Sequence, residues 1–289
     1  MQNIRAYFPK LFFVSLGTAT AVIWYAVFYF ELRGEILRVT FFDVGQGDAI
    51  FIETPSGHQA LIDGGPGARV LSRLGERMPF WDRSLDLVIL THPDMDHISG
   101  LIDVLKKYSV DAVAWTGVLH SNAEYKEWIR LIEEKKIHEF IVHNGYSFSF
   151  GDGIQFDILA PFENFEGKTV KKVNDTSIVG ALIHRENSFL FTGDIGKSVE
   201  YRLLFESPEQ IDTDVLKVGH HGSKTSSSQE FLQFVSPDSA VIQVGAKNRY
   251  GHPTQGVLDR LAAMGSDTFR TDIDGNITFA SDGEKLWRE

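Results

Sequence analysis

The sequence predicts a layered α/β sandwich that follows one apolar N-terminal helix. Three observations carry that prediction. Short apolar runs with strand character alternate with helical patterns in both halves of residues 36–289. No Pro/Gly/Ser-rich linker, repeat or low-complexity stretch divides that region, so it reads as one domain. Ahead of it, Leu11 to Phe30 form 20 residues without a charge.

Taken in order, the first element is that apolar segment. A helix of this length is about 30 Å long, the thickness of a hydrocarbon core. Trp24, Tyr25 and Tyr29 gather toward its far end, as interfacial aromatics do. A cleaved signal peptide would have an apolar region of about 7–15 residues ending in small residues. This one is longer and ends in VFYFELR, so residues 1–35 read as an uncleaved single-pass anchor. Arg5 and Lys10 precede it, while Glu31, Arg33, Glu35 and Arg38 follow. The positive-inside rule then predicts a cytoplasmic N-terminus and an extracytoplasmic domain 36–289.

Within the domain, strand patterns fall near 37–43, 49–53, 59–63, 86–90, 112–115 and 154–159, then near 177–184, 188–192, 214–218, 239–244 and 276–280. Helical patterns fall near 98–108, 121–135, 197–206, 227–235 and 254–264. There is no cysteine, which excludes disulfides and thiolate ligands, so any metal site must be built from His, Asp and Glu. The whole chain carries −11, and residues 36–289 carry 25 basic against 37 acidic residues. A domain that acidic does not hold nucleic acid through its general field; a local basic patch would be required.

The stretch LVILTHPDMDHISG (87–100) carries the chemistry. An apolar strand runs into a loop with His92, Asp94, Asp96 and His97, four potential ligands in six residues, and a helix follows. Carboxylates this close repel one another unless a cation intervenes. A helix cap explains one of the four residues and leaves three unexplained. FLFTGD (189–194) and LKVGHHGS (216–223) likewise deliver Asp194 and the pair His220-His221 to strand ends. Asp48 and Asp63 also lie at strand ends, where they serve either as turn residues or as orienters of a metal-bearing loop.

The pattern His-x-Asp-x-Asp-His resembles the signature of the metallo-β-lactamase superfamily, usually His-x-His-x-Asp-His, in the form found in the hydrolase domain of ComEC-type competence proteins. DVGQGDA (43–49), LIDGG (61–65), NDTSIV (174–179), FTGD, LKVGHHGS and NRYGHP (248–253) match the same family in order, so the resemblance covers essentially all of 36–289. It implies a four-layer αββα metallo-β-lactamase sandwich and two divalent metal ions bridged by Asp194. Asp94 stands where the family has its second histidine, and Asn174-Asp175 where it has its third. Site one is then His92, Asp94, Asp194 and Asp175; site two is Asp96, His97, Asp194 and His221. Oxygen-rich ligands favour Mn²⁺ or Mg²⁺ more than an all-histidine site does, with Zn²⁺ also accommodated.

Adjacent histidines point in different directions, so His221 is assigned as ligand and His220 as its substrate-facing neighbour. His220, His252, Ser223 and Lys224 are the candidates for steadying substrate or protonating a leaving oxygen. Lys168, Lys171, Lys172, Lys217, Lys224, Lys247 and Arg249 cluster around the motif loops, which suits an anionic phosphodiester substrate. The resemblance implies a phosphodiesterase or nuclease acting on DNA and related to competence DNA uptake. The alternatives are an esterase for cell-envelope phosphodiesters of the choline phosphate type, or a metal-binding accessory module of a separate membrane channel protein. Hydrolysis of β-lactams ranks last, because the second and third histidines are missing.

Overall fold

The computed structural model describes residues 13–24 and 36–289. Residues 13–24 are helical, with Phe13, Val14, Leu16, Val22, Ile23 and Trp24 exposed. Twelve residues span about 18 Å, and among the described residues no helix is long and apolar enough to cross a membrane. The rest of the predicted span 11–30 lies outside the described residues. Leu37–Glu289 forms a compact unit of its own.

That unit is built on two sheets. The first has the strand order β15-β14-β1-β2-β3-β4-β5-β6 and contains β1 (Leu37–Phe41), β2 (Ile50–Glu53), β3 (Gln59–Ile62), β4 (Ser84–Ile89), β5 (Ser109–Trp115), β6 (His138–Ile141), β14 (Ile277–Ser281) and β15 (Leu286–Arg288). The second has the order β13-β12-β11-β10-β9-β8-β7 and contains β7 (Ser147–Gly151), β8 (Ile154–Ala160), β9 (Val179–His184), β10 (Asn187–Phe191), β11 (Val215–Lys217), β12 (Ser239–Ile242) and β13 (Asp267–Arg270). Strands β3 to β6 pair in parallel in the first sheet, and β10 to β13 do so in the second.

Side-chain alternation along the central strands sorts the core into layers. On β4, Leu87 and Ile89 face the space between the sheets, where Phe41, Phe156, Phe189 and Phe191 pack. Val88 points the other way, under α1 (Arg69–Arg77), α2 (Met95–Lys107) and α3 (Ala123–Lys135). Leu190 and Leu216 of the second sheet meet α4 (Lys197–Glu206), α5 (Gln229–Val235) and α6 (Gln255–Met264). The expected αββα sandwich is therefore present, with elements beyond those the pattern predicts. Helix α1 buries only Val70 and Leu74, and β6 buries no side chain fully, so both have weak apolar signals.

The parallel strands explain where function can sit. In such sheets ligands bind beyond the carboxyl ends of the strands. Here those ends lead directly to Asp63 after β3, His92 after β4, Asp194 after β10 and His221 after β11. Close packing brings the loops together. A Cβ on Gly100 of α2 would lie 1.8 Å from the Gly64 carbonyl oxygen, so only glycine lets the helix rest on the Asp63 loop. There the Gly64 N–H donates to the His97 carbonyl at 2.8 Å, and the Gly100 N–H to the Gly65 carbonyl at 2.9 Å.

Candidate metal centre

His92, Asp96, His97, Asp194 and His221 converge at this strand-end face. Three combinations, His92–His97–Asp194, Asp96–His97–His221 and Asp48–Asp194–His221, each bring one ligand atom per residue within 4.8 Å of one another. The His92 and His97 rings are 4.1 Å apart, and those of His97 and His221 are 5.6 Å apart. Asp194 Oδ2 lies 3.5 Å from Nε2 of both His97 and His221, and Asp96 Oδ2 lies 3.4 Å from His221 Nε2.

Each histidine is oriented from behind. His97 Nδ1 is 2.8 Å from Asp63 Oδ2, and that carboxylate is itself fixed by the Thr91 N–H and hydroxyl. His92 Nδ1 meets the hydroxyls of Thr91 and Ser177, at 3.0 and 3.2 Å. His221 Nδ1 meets the Gln243 carbonyl oxygen at 2.8 Å, and the Gln243 amide in turn donates to the Phe42 and Ala49 carbonyls. With Nδ1 engaged in every case, Nε2 of His92, His97 and His221 is the free nitrogen, and all three are buried without a hydrogen-bond partner. Buried polar atoms are seldom left unsatisfied. Inward-facing imidazoles backed by carboxylates, hydroxyls and carbonyls are how metal ligands are held, so the residues present fit a divalent cation.

The electrostatics agree. Burial alone would disfavour a charged His221, but Asp194 and Asp48 outweigh it and push its pKa up to about 10 in the metal-free protein. Burial likewise opposes ionisation of Asp194, yet His221 and His97 hold it well below the usual carboxylate range. A ligand must be deprotonated to bind, so an incoming cation takes the place of protons stored here. His220 behaves differently: burial pulls its pKa below the ordinary value, against the attraction of Asp194. His220 and His221 both have left-handed backbones, φ 50° and 52°, an uncommon conformation for non-glycine residues that concentrates at functional sites.

The remaining sequence-predicted residues separate into those the fold brings in and those it does not. Asp94 stands beside His92, Oδ2 to Nε2 at 3.6 Å, and lines the cavity above the ligands. His220 and His252 line the same cavity, with ring centroids 5.9 Å apart. Asp175 does not join the ligand groups: the 3₁₀ turn Val173–Thr176 sets its carboxylate beside the Ser198 hydroxyl (3.4 Å) and Lys172 (4.0 Å), while Asn174 lines the cavity with Asp94 and Asp96. Ser223 closes a local turn through the Thr225 hydroxyl (2.9 Å), and neither it nor the exposed Lys224 lines the cavities at the centre. Asp63 and Asp48 lie behind the histidines, the first 2.8 Å from His97 Nδ1 and the second 3.3 Å from His221 Nδ1. Lys217 belongs to no surface patch; it is buried and paired with Asp48.

A groove of about 800 Å³ leads outward from Asp94, Asp194 and His220, and Lys171, Lys172 and Lys197 line it. Two of these lysines are in the basic clusters read from the sequence. Lys197 is not, because as the first residue of α4 it reads as an ordinary solvated helix position.

Two layered sheets whose facing strand ends carry this His/Asp set define a metal-dependent hydrolase fold. The model of the metallo-beta-lactamase superfamily matches residues 42–246, and the chain belongs to that superfamily. It is similar to ComE operon protein 3 of Bacillus subtilis, at 32% identity over 91% of this chain and 35% of that protein. It is also similar to the competence protein ComA of Neisseria gonorrhoeae, at 30% identity over 83% of this chain and 32% of that protein. The chain thus spans about a third of the length of these relatives. A third relative, the exodeoxyribonuclease WalJ of Streptococcus pneumoniae, is 29% identical over 46% of this chain and 51% of its own length.

Proposed function

We propose that this hydrolase is a phosphodiesterase that cleaves nucleic acid, DNA in the first place, using two divalent ions, Mn²⁺ or Zn²⁺. The observation that carries this reading is the lysine-lined groove ending at an otherwise acidic centre. In a domain with more acidic than basic residues, three ammonium groups beside Asp94 and Asp194 are placed to hold the phosphates of an anionic chain. WalJ, an exodeoxyribonuclease by name, is the relative whose activity points the same way. Two ions suit the charge: Asp48, Asp63, Asp94, Asp96 and Asp194 less the Lys217 ammonium leave a negative charge equal to that two divalent ions carry.

A bound divalent pair supplies water activation and neutralises charge building on the phosphoryl oxygens. The chain's own residues do the rest. Lys171, Lys172 and Lys197 anchor the flanking phosphates. His220 faces the centre with Nε2 3.9 Å from Asp194 Oδ2, and burial pulls its pKa below the ordinary value, so its neutral imidazole steadies the substrate by hydrogen-bonding a phosphoryl oxygen. His252, whose Nδ1 is buried and unpartnered, stacks beside Tyr250 and closes the opposite wall.

Bis-p-nitrophenyl phosphate, single-stranded DNA, a choline phosphodiester and nitrocefin, each tested with Mn²⁺ and with Zn²⁺, discriminate among substrates. Turnover of the first two is expected. Turnover of the choline ester alone would move the assignment to envelope polymers, and nitrocefin alone would abandon phosphodiesters.

We further propose that residues 11–30 anchor the chain in a membrane with the hydrolase domain outside. The uncharged run and the leading Arg5 and Lys10 support this. A fusion at Glu289 should give active alkaline phosphatase and no green fluorescence; a fluorescent, phosphatase-silent pair would reverse the orientation.

A further inference from the structure

The interior of the metal centre holds a cation that the chemistry above does not use. Lys217 ends β11, and the two-residue period of the strand turns it to the face that Val215 presents, between the sheets. There it is 1% exposed. Its ammonium donates to Asp48 Oδ2 and, at 2.9 Å, to the carbonyl oxygen of Gly193, the residue before Asp194. It also stands 3.6 Å from Asp194 Oδ1. The two oxygens of Asp194 thus have separate surroundings. Oδ1 faces Lys217, while Oδ2 is turned to His97, His220 and His221, at 3.5, 3.9 and 3.5 Å.

A buried ammonium must be paired, and Asp48 alone would satisfy that need. Pairing alone does not require the lysine to grip the main chain at Gly193 or to face the Asp194 carboxylate. We propose that Lys217 is a positioning residue for the metal centre. It fixes the Gly193–Asp194 turn and holds the carboxylate so that Oδ2 is the oxygen presented to the cations. The proposal rests on the reading of Asp194 as a ligand.

Charge and positioning predict opposite outcomes, which makes the role testable. A cation fixed this close repels an incoming metal ion, so if charge were its only effect, removing it would tighten binding. If it positions Asp194, removing it loosens binding. Lys217→Met alone leaves Asp48 as an unpaired buried charge and is expected to destabilise the fold. Lys217→Met/Asp48→Asn removes both charges and avoids that penalty. Asp48→Asn alone is its reference, because it keeps the lysine while lacking the carboxylate.

The full chain in each form is melted without metal and titrated with Mn²⁺ by calorimetry. The double variant should melt no lower than Asp48→Asn, which leaves the buried ammonium without its carboxylate, yet bind Mn²⁺ about tenfold or more weakly, the scale on which orienting partners act. Equal or tighter Mn²⁺ binding by the double variant would overturn the role of Lys217. Asp194→Asn in the same titration tells the two failures apart. Wild-type affinity there removes Asp194 from the ligand set, and the ground for the proposal with it. Lost affinity there, beside an unchanged double variant, rejects only the positioning by Lys217.

Discussion

Asp194→Asn should lower the turnover of a phosphodiester by about a thousandfold or more, equivalent to about 4 kcal/mol of transition-state stabilisation, while the fold persists. Asp194 is the one carboxylate common to the His92–His97 and Asp48–His221 groupings. His97, His220 and His221 all approach its Oδ2 within 3.9 Å. An amide has the same shape but presents one neutral oxygen, so it cannot balance two cations. The fold should tolerate the change because Asp194 sits at a strand end, outside the three apolar clusters. A thermal melt and a rate assay on the same sample decide the matter. Near-normal turnover would remove Asp194 from the centre.

The neighbouring histidines should fail in different ways. His221 is buried, with Nδ1 held by the Gln243 carbonyl and Nε2 free toward Asp96 and Asp194. His221→Ala should therefore weaken metal affinity by roughly a hundredfold, near the upper end of what even orienting partners control. His220 is partly open to the groove and has no carboxylate or carbonyl behind it; its Nδ1 meets only the Thr225 hydroxyl, at 3.3 Å. His220→Ala should leave affinity within a few-fold and lower turnover by about 10²–10³-fold, the range of one hydrogen-bond donor aimed at the transition state. Titration calorimetry and kinetics at saturating metal check both. The reverse pattern would show that the two residues exchange roles.

Part of this site is legible in the sequence, and the reason is local density. His92, Asp94, Asp96 and His97 lie within six residues after an apolar strand, and only a cation makes such crowding sensible. Asp194 is legible because FLF delivers it to a strand end. Lys217 is harder to place, since a lysine beside a histidine-rich loop looks solvated. The signal that could have found it is alternation: Val215 faces inward, Leu216 outward, and Lys217 must then face inward on a central strand. Asp175 and its neighbour Asn174 cannot be told apart from the sequence. The tight turn Val173–Thr176 puts both on the groove and, of the two, only Asn174 on the inner cavity, and no hydrophobic period encodes that choice. Ser223 and Lys224 read as site residues from their proximity to the paired histidines, and neither lines the groove or the inner cavity.

The fold divides along similar lines. Strands buried on both faces, such as β4 and β10, read clearly because their apolar runs are continuous. Helix α1 and strand β6 depend on few buried contacts and are set by their neighbours, so their own sequences say little.

The centre itself is tested most directly by counting the divalent ions bound per chain. The full chain is loaded separately with Mn²⁺ and Zn²⁺, desalted and measured by elemental analysis against protein concentration. Two ions per chain are expected, and Asp194→Asn should retain fewer. A protein that keeps no stoichiometric metal under any loading condition would contradict the assignment of His92, Asp96, His97, Asp194 and His221 as ligands, and with it the hydrolase mechanism.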